Sequence, residues 1–435
     1  MENIREIALD GLLTFEKELC FSNKLIKDIL DKYDYLEGRD KAFLKRLFEG
    51  CVERRIELDY RIDLVSNTPV KKQKPFIRNL LRLATYQIIY MDSVPDSAAI
   101  NEAVKLSKKR GFSKLSGFVN GVLRNISRGK DSFEYPDKDR DFNKYLSVKY
   151  SVPEWLSEFW NGIYGKEETE KILDALLGIH PLSLRLRCDI PDSEREEIVR
   201  KLEKSGVVLK RDERVPFVYT AEETGDISKL PGFSEGLFTV QDISSVLAIL
   251  SAGIKKGDVV YDACAAPGGK SLLAAELAGE TGRVVSCDLS GEKVSRITEN
   301  AVRMKADNLT AAVWDACVTN GEYIEKADVL ILDVPCSGLG VLGKKRDIKY
   351  NVTPEGIREL ERIQWEIVKA SYKYVKVGGV LLYSTCTINP GENEEQAKRI
   401  TGELPFEILK GPVQLLPDRD KCDGFFYTVF RRTGK

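Results

Sequence analysis

Between residues 259 and 383, five short apolar runs recur with helix-length segments between them: Val259-Val260-Tyr261, Val284-Val285-Ser286, Ala311-Ala312-Val313, Val329-Leu330-Ile331-Leu332 and Val380-Leu381-Leu382-Tyr383. Strands this far apart cannot be joined by tight hairpins. They require crossover connections, so the stretch predicts a parallel sheet with helices on its faces. Open sheets of this kind carry their functional crevice beyond the carboxyl ends of the strands. The residues at those ends are therefore the first candidates for chemistry.

A chain of 435 residues exceeds one ordinary core, and domains of about 100 to 200 residues predict several units. From the start to about residue 130 the apolar positions recur at three and four: Ile4, Ala8, Leu12, Phe15 and Leu19, then Phe43, Leu44, Leu47, Phe48, Cys51 and Val52. This is the pattern of a helical bundle. Pro75 suits the first turn of a helix carrying Phe76, Leu80, Leu83 and Ile88, and another helix follows through Ala99, Ala103, Val104 and Leu106. The stretch 129–140 is polar, contains Gly and Pro, and shows neither period, which marks a linker. Beyond it, Glu170 to Leu177 reads as helix and Leu182 to Arg187 alternates as a half-buried strand. Ser193 and Glu196 form a capping-box pattern for a helix reaching Leu202, ahead of the apolar Val207-Val208-Leu209. The expectation is three domains: an all-α unit over 1–130, a small α+β unit over 142–235, and an α/β unit over 236–435.

Hydrophobic residues at 43% and charged ones at 31% describe a globular protein, and no apolar run reaches the roughly 20 residues of a membrane span. The start, Met1-Glu2-Asn3-Ile4-Arg5-Glu6, has no secretory pattern, so a cytoplasmic location is expected. Nine scattered cysteines in such a chain are expected to remain reduced thiols. A net charge of -1 excludes indiscriminate coating of polyanions, so any nucleic-acid surface must be a local patch. Lys105, Lys108, Lys109, Arg110, Lys114, Arg124, Arg128 and Lys130 form one such cluster, which is either a phosphate-binding face or a solvated helix surface. With His180 the single histidine, a Ser-His hydrolase or a histidine-built metal site is disfavoured.

The strand ending at Asp262 runs into Ala263-Cys264-Ala265-Ala266-Pro267-Gly268-Gly269-Lys270 and then into a helix. Small residues there let a ligand approach the backbone, and the amides opening the helix favour an anion. The pattern matches neither the dinucleotide fingerprint nor the phosphate-binding P-loop. Asp288 ends the next strand about 20 residues on, where a carboxylate can accept from ribose hydroxyls; the bland alternative is a helix N-cap. Asp315, after the third strand, can accept from an adenine amino group.

Cys336, in Asp333-Val334-Pro335-Cys336-Ser337-Gly338, and Cys386, in Ser384-Thr385-Cys386-Thr387, each follow the end of a predicted strand and should open onto one crevice. A thiolate that adds to carbon 6 of a pyrimidine makes carbon 5 nucleophilic toward a methyl sulfonium, dividing a difficult step into easier ones. Asp333 can hydrogen-bond the ring. For Cys20, Cys51, Cys188 and Cys287 the reading is a small buried apolar residue. Neither Cys-x-x-Cys nor a nearby histidine accompanies the pair, so no metal is expected. Lys344-Lys345-Arg346-Asp347-Ile348-Lys349-Tyr350, between the two cysteines, adds positive charge suited to a phosphate backbone.

With these residues in view, the chain resembles the RNA 5-methylcytosine methyltransferase (NOL/NOP/Sun) family in its RsmB type, over nearly its whole length. The likeness is carried by Asp262 to Ser271, Asp333 to Gly338, Asp347-Ile348-Lys349-Tyr350, Ser384 to Thr387 with Glu392-Asn393-Glu394, and Gln241 to Ser245. In the amino-terminal part Ala98 to Val104 and Phe118 to Asn125 resemble a NusB-like domain. The resemblance implies a NusB-like bundle, an RRM-like middle domain and a Rossmann-like class I methyltransferase domain. It also implies S-adenosylmethionine held by Cys264, Ala265, Ala266, Pro267, Gly268, Gly269 and Lys270, with Asp288, Asp315 and Asp333. By the same resemblance Cys386 is the nucleophile, Cys336 assists release, and the partner is 16S ribosomal RNA, met by a monomer without membrane or metal. Lys344-Lys345-Arg346 stands where an Arg-Arg-His-Pro-like stretch is common, and Thr387 where serine is frequent. Two other readings stand beside this one: an RNA-binding assembly or antitermination factor with vestigial catalysis, and the same chemistry on transfer RNA.

Overall fold

The computed structural model describes residues 3–18, 21–178 and 181–434; Leu19, Cys20 and His180 lie outside them. The chain divides into two compact units, Met1–Gly178 with Leu342–Asn351, and Ile179–Val341 with Val352–Lys435.

The first unit is all helix: α1 (Ile4–Glu18), α2 (Ser22–Lys32), α3 (Gly38–Glu53), α4 (Arg55–Val65), α5 (Pro75–Tyr90), α6 (Asp96–Lys109), α7 (Ser116–Gly129), α8 (Phe142–Tyr150), α9 (Glu154–Tyr164) and α10 (Lys166–Leu177). Helix α5 is buried on nearly every face, as its mostly apolar sequence requires; the amphipathic α1, α3, α6 and α7 pack their apolar stripes around it, and α4 packs on it through Leu58 and Ile62 beside buried charge. The buried Glu57 of α4 accepts from Arg54, Arg61, Tyr90 and Tyr135, so its charge is met on all sides. Beyond the polar stretch 129–140, α8 packs on α4, and Ser151 Oγ after α8 accepts from the amide of Ile56 at 2.8 Å.

The segment 342–351 belongs to this helical unit although it lies between the two candidate cysteines in sequence. Arg346 pairs with Glu49 and Glu53, Asp347 accepts from Ser22 Oγ at 2.5 Å, and the buried Lys349 donates to the Glu53 carbonyl at 2.7 Å. Arg55 stacks on Tyr350 at 3.8 Å. Much of the charge expected to meet a phosphate backbone is thus spent inside the bundle. In the other basic cluster, Lys105, Lys109, Arg110 and Lys130 pair with Glu102, Glu6, Asp10 and Asp96, while Lys108, Lys114, Arg124 and Arg128 are exposed.

The second unit opens with a four-stranded antiparallel sheet of β1 (Leu182–Leu186), β2 (Val208–Arg211), β3 (Val218–Glu222) and β4 (Phe238–Val240), in the order β2-β3-β1-β4, with α11 (Asp192–Lys204) packed on it. The capping box does not form, because α11 begins two residues earlier with Pro191 at its N-cap, which places Ser193 inside the helix. Next come α12 (Ile243–Ser251), β5 (Val259–Asp262), α13 (Gly269–Ala278), β6 (Arg283–Asp288), α14 (Gly291–Arg303), β7 (Leu309–Val313) and β8 (Ala327–Asp333). After the short α15 (Ile348–Asn351) of the first unit follow α16 (Pro354–Ser371), β9 (Val375–Thr385), α17 (Glu394–Glu403), β10 (Phe406–Leu415) and β11 (Phe425–Arg432). The seven strands β5 to β11 form one sheet in the order β10-β11-β9-β8-β5-β6-β7. The five predicted strands are its parallel part, and β10 and β11 add an antiparallel edge.

The small sheet is bonded to the large one's helices through buried charge rather than standing apart. Arg185 of β1 is fully buried, donating to Gln241 Oε1 at 2.7 Å and to Glu276 Oε2 at 2.6 Å; Arg303 of α14 donates to the Phe233 and Phe238 carbonyls, each at 3.0 Å. Gly236, at φ 73°, lies so close to the Arg303 carbonyl that no Cβ fits. Breaking a buried pair by removing one partner costs about 3–5 kcal/mol, while a matched apolar pair is near neutral. Glu276→Ala is therefore expected to lower the urea midpoint of this unit, and Arg185→Met with Glu276→Leu to recover most of that loss, as followed by tryptophan fluorescence.

Candidate active site

The strand order runs in opposite directions on either side of the β5–β8 pair, so the loops after β5 and β8 diverge and leave a crevice at their carboxyl ends. Both loops carry predicted residues. After β5, the turn Ala263 to Lys270 passes through Gly268 at φ 104°, a left-handed conformation that favours glycine, and then opens α13. Lys270 Nζ donates to Asp333 Oδ2 at 2.7 Å across the crevice, and Ser384 Oγ, on β9, donates to Asp333 Oδ1 at 2.9 Å. Burial lowers the Lys270 pKa, but Asp333, Asp262 and Cys386 outweigh it, so the ammonium is held charged.

Pairing register brings the two cysteines together. Strands β8 and β9 are parallel with Asp333 opposite Ser384, so Cys336 and Cys386, a few residues beyond each, leave the sheet side by side. Their Sγ atoms are 3.1 Å apart, neither is in a disulfide and both are half-buried. The amide of Cys386 donates to Cys336 Sγ at 3.3 Å. The Cys336 pKa stands well above the usual thiol range: its hydrogen bond to Cys386, its burial, and the charges of Glu392 and Asp333 all favour the protonated form. Cys386 lies in the field of the Lys270 cation. Of the two sulfurs, Cys336 is the one whose proton its surroundings hold.

Asp288 ends β6 and is buried. Its Oδ2 accepts from the Ala266 amide at 2.9 Å, and its Oδ1 from the Leu289 amide at 2.8 Å and from Lys293 Nζ at 2.9 Å. The N-cap of α14 is Ser290, so Asp288 is free of that role. With three donors bound, a carboxylate of about four acceptor sites retains one. Asp315 is exposed beyond β7 and accepts from the Cys317 amide at 2.9 Å. Carboxylates after β6, β7 and β8, with a small-residue turn between, suit a nucleoside bearing a charged amino-acid tail. Cys264, on that turn, is held protonated by burial and by the carboxylates of Asp262, Asp288 and Asp333. Cys51, Cys188 and Cys287 are likewise pushed up by burial, as inert thiols are.

A ring of polar residues behind the thiols was not singled out from sequence. Glu392 is fully buried beneath the cysteine loops and bonded to Ser337, Gln364 and Asn389. Asn393 accepts from Thr385 Oγ1 at 2.5 Å and donates to the Thr387 carbonyl at 3.1 Å. In the sequence Glu392-Asn393-Glu394 is only a short string, because pairings between residues 28 to 55 positions apart leave no local periodicity. The described residues contain no cluster of three or more His, Cys, Asp and Glu able to hold a metal, and no helix long and apolar enough to cross a membrane.

A family profile described as 16S rRNA methyltransferase RsmB/F matches residues 249–431, and one for the NusB family matches residues 2–128. The chain is 35% identical to "Probable ribosomal RNA small subunit methyltransferase B" of Bacillus subtilis (strain 168), over 99% of each chain. It is 31% identical to "Ribosomal RNA small subunit methyltransferase B" of Proteus mirabilis (strain HI4320), again over 99% of each. The crystal structure of PH0851 is similar with a TM-score of 0.81 and 26% identity, covering 99% of both chains.

Beneath the crevice Asp262 is buried with Ser271 Oγ donating to its Oδ2 at 2.6 Å, while its Oδ1 has no hydrogen-bond partner. Burial, reinforced by Asp333, pushes its pKa up to about 7. A carboxyl whose folded pKa lies above its unfolded value binds the proton more tightly when folded, so its contribution to stability is lost as pH rises toward 7. Asp262→Asn is expected to remove that decline between pH 5 and 7. The check is urea midpoints of both proteins across that range, and parallel slopes would contradict it.

Proposed function

Because the chain belongs to the 16S ribosomal RNA methyltransferase B family, with the family's NusB and methyltransferase parts both present, we propose that it methylates carbon 5 of a cytosine through a covalent cysteine adduct. The cofactor is S-adenosylmethionine, which supplies an electrophilic methyl group when bound. The loop Cys264 to Lys270 and Asp288, Asp315 and Asp333 would hold it. Its charged tail suits the turn that opens α13, and its ribose suits the acceptor site left on Asp288.

The observation that carries the reading is the pair of thiols 3.1 Å apart beside Asp333 and Lys270. Cys386 Sγ, as thiolate, bonds to carbon 6 of the cytosine, and the ring electron pair moves to carbon 5. Asp333 holds the ring through its nitrogen edge. After methylation the carbon 5 proton is lost and the bond from Cys386 to carbon 6 breaks, returning the electrons to sulfur. Cys336, kept protonated, stands against that leaving sulfur. The base must be unpaired or flipped out, which costs a few kcal/mol and least in a loop. The helical segment 1–130 grips the RNA through the exposed Lys108, Lys114, Arg124 and Arg128. Intact Lys270–Asp333 pairing and two reduced thiols support an active centre over a vestigial one.

Cys386→Ala is expected to abolish 5-methylcytosine in 16S rRNA mapped by bisulfite sequencing, whereas Cys336→Ala accumulates a protein–RNA adduct on a denaturing gel. Full methylation by Cys386→Ala would overturn the assignment. Asp288→Ala is expected to weaken S-adenosylmethionine binding roughly tenfold or more in calorimetry, about 1.4 kcal/mol.

A further inference from the structure

One buried carboxylate touches the loops of both cysteines and takes no part in the reaction just described. Glu392 is fully buried, and its Oε1 accepts from the Ser337 amide at 2.8 Å and from Gln364 Nε2 at 3.0 Å. Its Oε2 accepts from Ser337 Oγ at 2.5 Å and from Asn389 Nδ2 at 3.1 Å. A carboxylate taken out of water is costly unless its acceptor sites are filled, and here four donors fill them. Ser337 follows Cys336 directly, and Asn389 lies just beyond Cys386, so the carboxylate ties the two thiol loops to each other. Tyr383 of β9 fastens the Glu392 backbone in turn, its hydroxyl donating to the Glu392 carbonyl at 2.7 Å. The charge of Glu392 also faces Cys336 and favours its protonated form.

We propose that Glu392 is the positioning residue for Cys336, holding the thiol that assists release against the sulfur of Cys386. The inference rests on the covalent mechanism proposed above. In the release step the carbon 5 proton passes to solvent, the electrons of the C5–H bond form the C5–C6 double bond, and the S–C6 bond breaks with its pair going to Cys386 Sγ. The S–H of Cys336 stabilises that departing sulfur by donating to it, which requires the two atoms to stay about one hydrogen bond apart. Without the clamp, Cys336 is free to swing away while Cys386, at the end of a central strand, stays in place. Attack and methyl transfer survive, and release slows.

The test uses the full chain with S-adenosylmethionine and a 16S rRNA transcript. For Glu392→Ala, turnover is expected to fall roughly thirtyfold with the KM for RNA within about threefold, while the first methyl transfer persists and an adduct accumulates on a denaturing gel. Glu392→Gln still accepts from the Ser337 amide and Gln364, and its amide can donate to Ser337 Oγ, which turns to Thr387 at 2.8 Å. It should restore turnover to within about fivefold of the natural protein. The inference is overturned if Glu392→Ala turns over normally without adduct, or loses the first methyl transfer as Cys386→Ala does. Should Glu392→Ala fail to bind cofactor, Ser337→Ala, which removes the hydroxyl's bonds to Glu392 and Thr387 but keeps the amide bond, must show adduct, and its absence overturns the inference equally. Adding Cys386→Ala separates the two readings. An adduct that persists in the double variant sinks the covalent assignment to Cys386, whereas an adduct in Cys336→Ala but not in Glu392→Ala sinks only the role of Glu392.

Discussion

The parallel register of β8 against β9, with Asp333 opposite Ser384, is the constraint on which the candidate site depends. Side chains alternate along a strand, so a slip of one residue would exchange the two buried faces of the strand and part the two loops that follow. The register is held by the burial of Leu330, Ile331, Leu332, Leu381, Leu382 and Tyr383 at the centre of the sheet. It sets the thiols 3.1 Å apart and lets Asp333 accept from Ser384 at its own level. The crossover between these strands leaves for the helical unit at Leu342 and returns at Val352, so the same connection that makes the pairing parallel also anchors in the bundle.

Around that register the charges are divided by position. Asp333 faces Lys270, which keeps one cation beside Cys386, whereas Glu392 lies beneath Cys336 and opposes its ionisation. Two thiols this close lose their protons in separate steps, and the charges around Cys336 hold its proton.

Much of this was visible along the chain because it is local. The five parallel strands, the Pro75 start of α5, the turn into α13 and the placing of Asp288, Asp333, Cys336 and Cys386 at strand ends follow from period, flanking residues and chain order. The antiparallel edge was not. In β10 the alternation is broken by bulges and by Gly411 at φ 100° before Pro412, and β11 is buried at every position from Phe425 to Phe430, so neither shows the period of a half-buried strand. The basic stretch from Lys344 to Tyr350 misled for the opposite reason. Charge in sequence reads as solvated, yet Arg346 and Lys349 found acceptors on α3 that only folding brings near.

The amino-acid sequence by itself determined the kinds of element, their order and the residue types at each strand end, since these depend on interactions within a few positions of the chain. Tertiary structure alone decided which carboxylate meets which thiol. The distances among Lys270, Asp333, Cys336, Cys386 and Glu392 arise from strand register and crossover packing, whose contacts join residues far apart in sequence and follow no period that could be read along it.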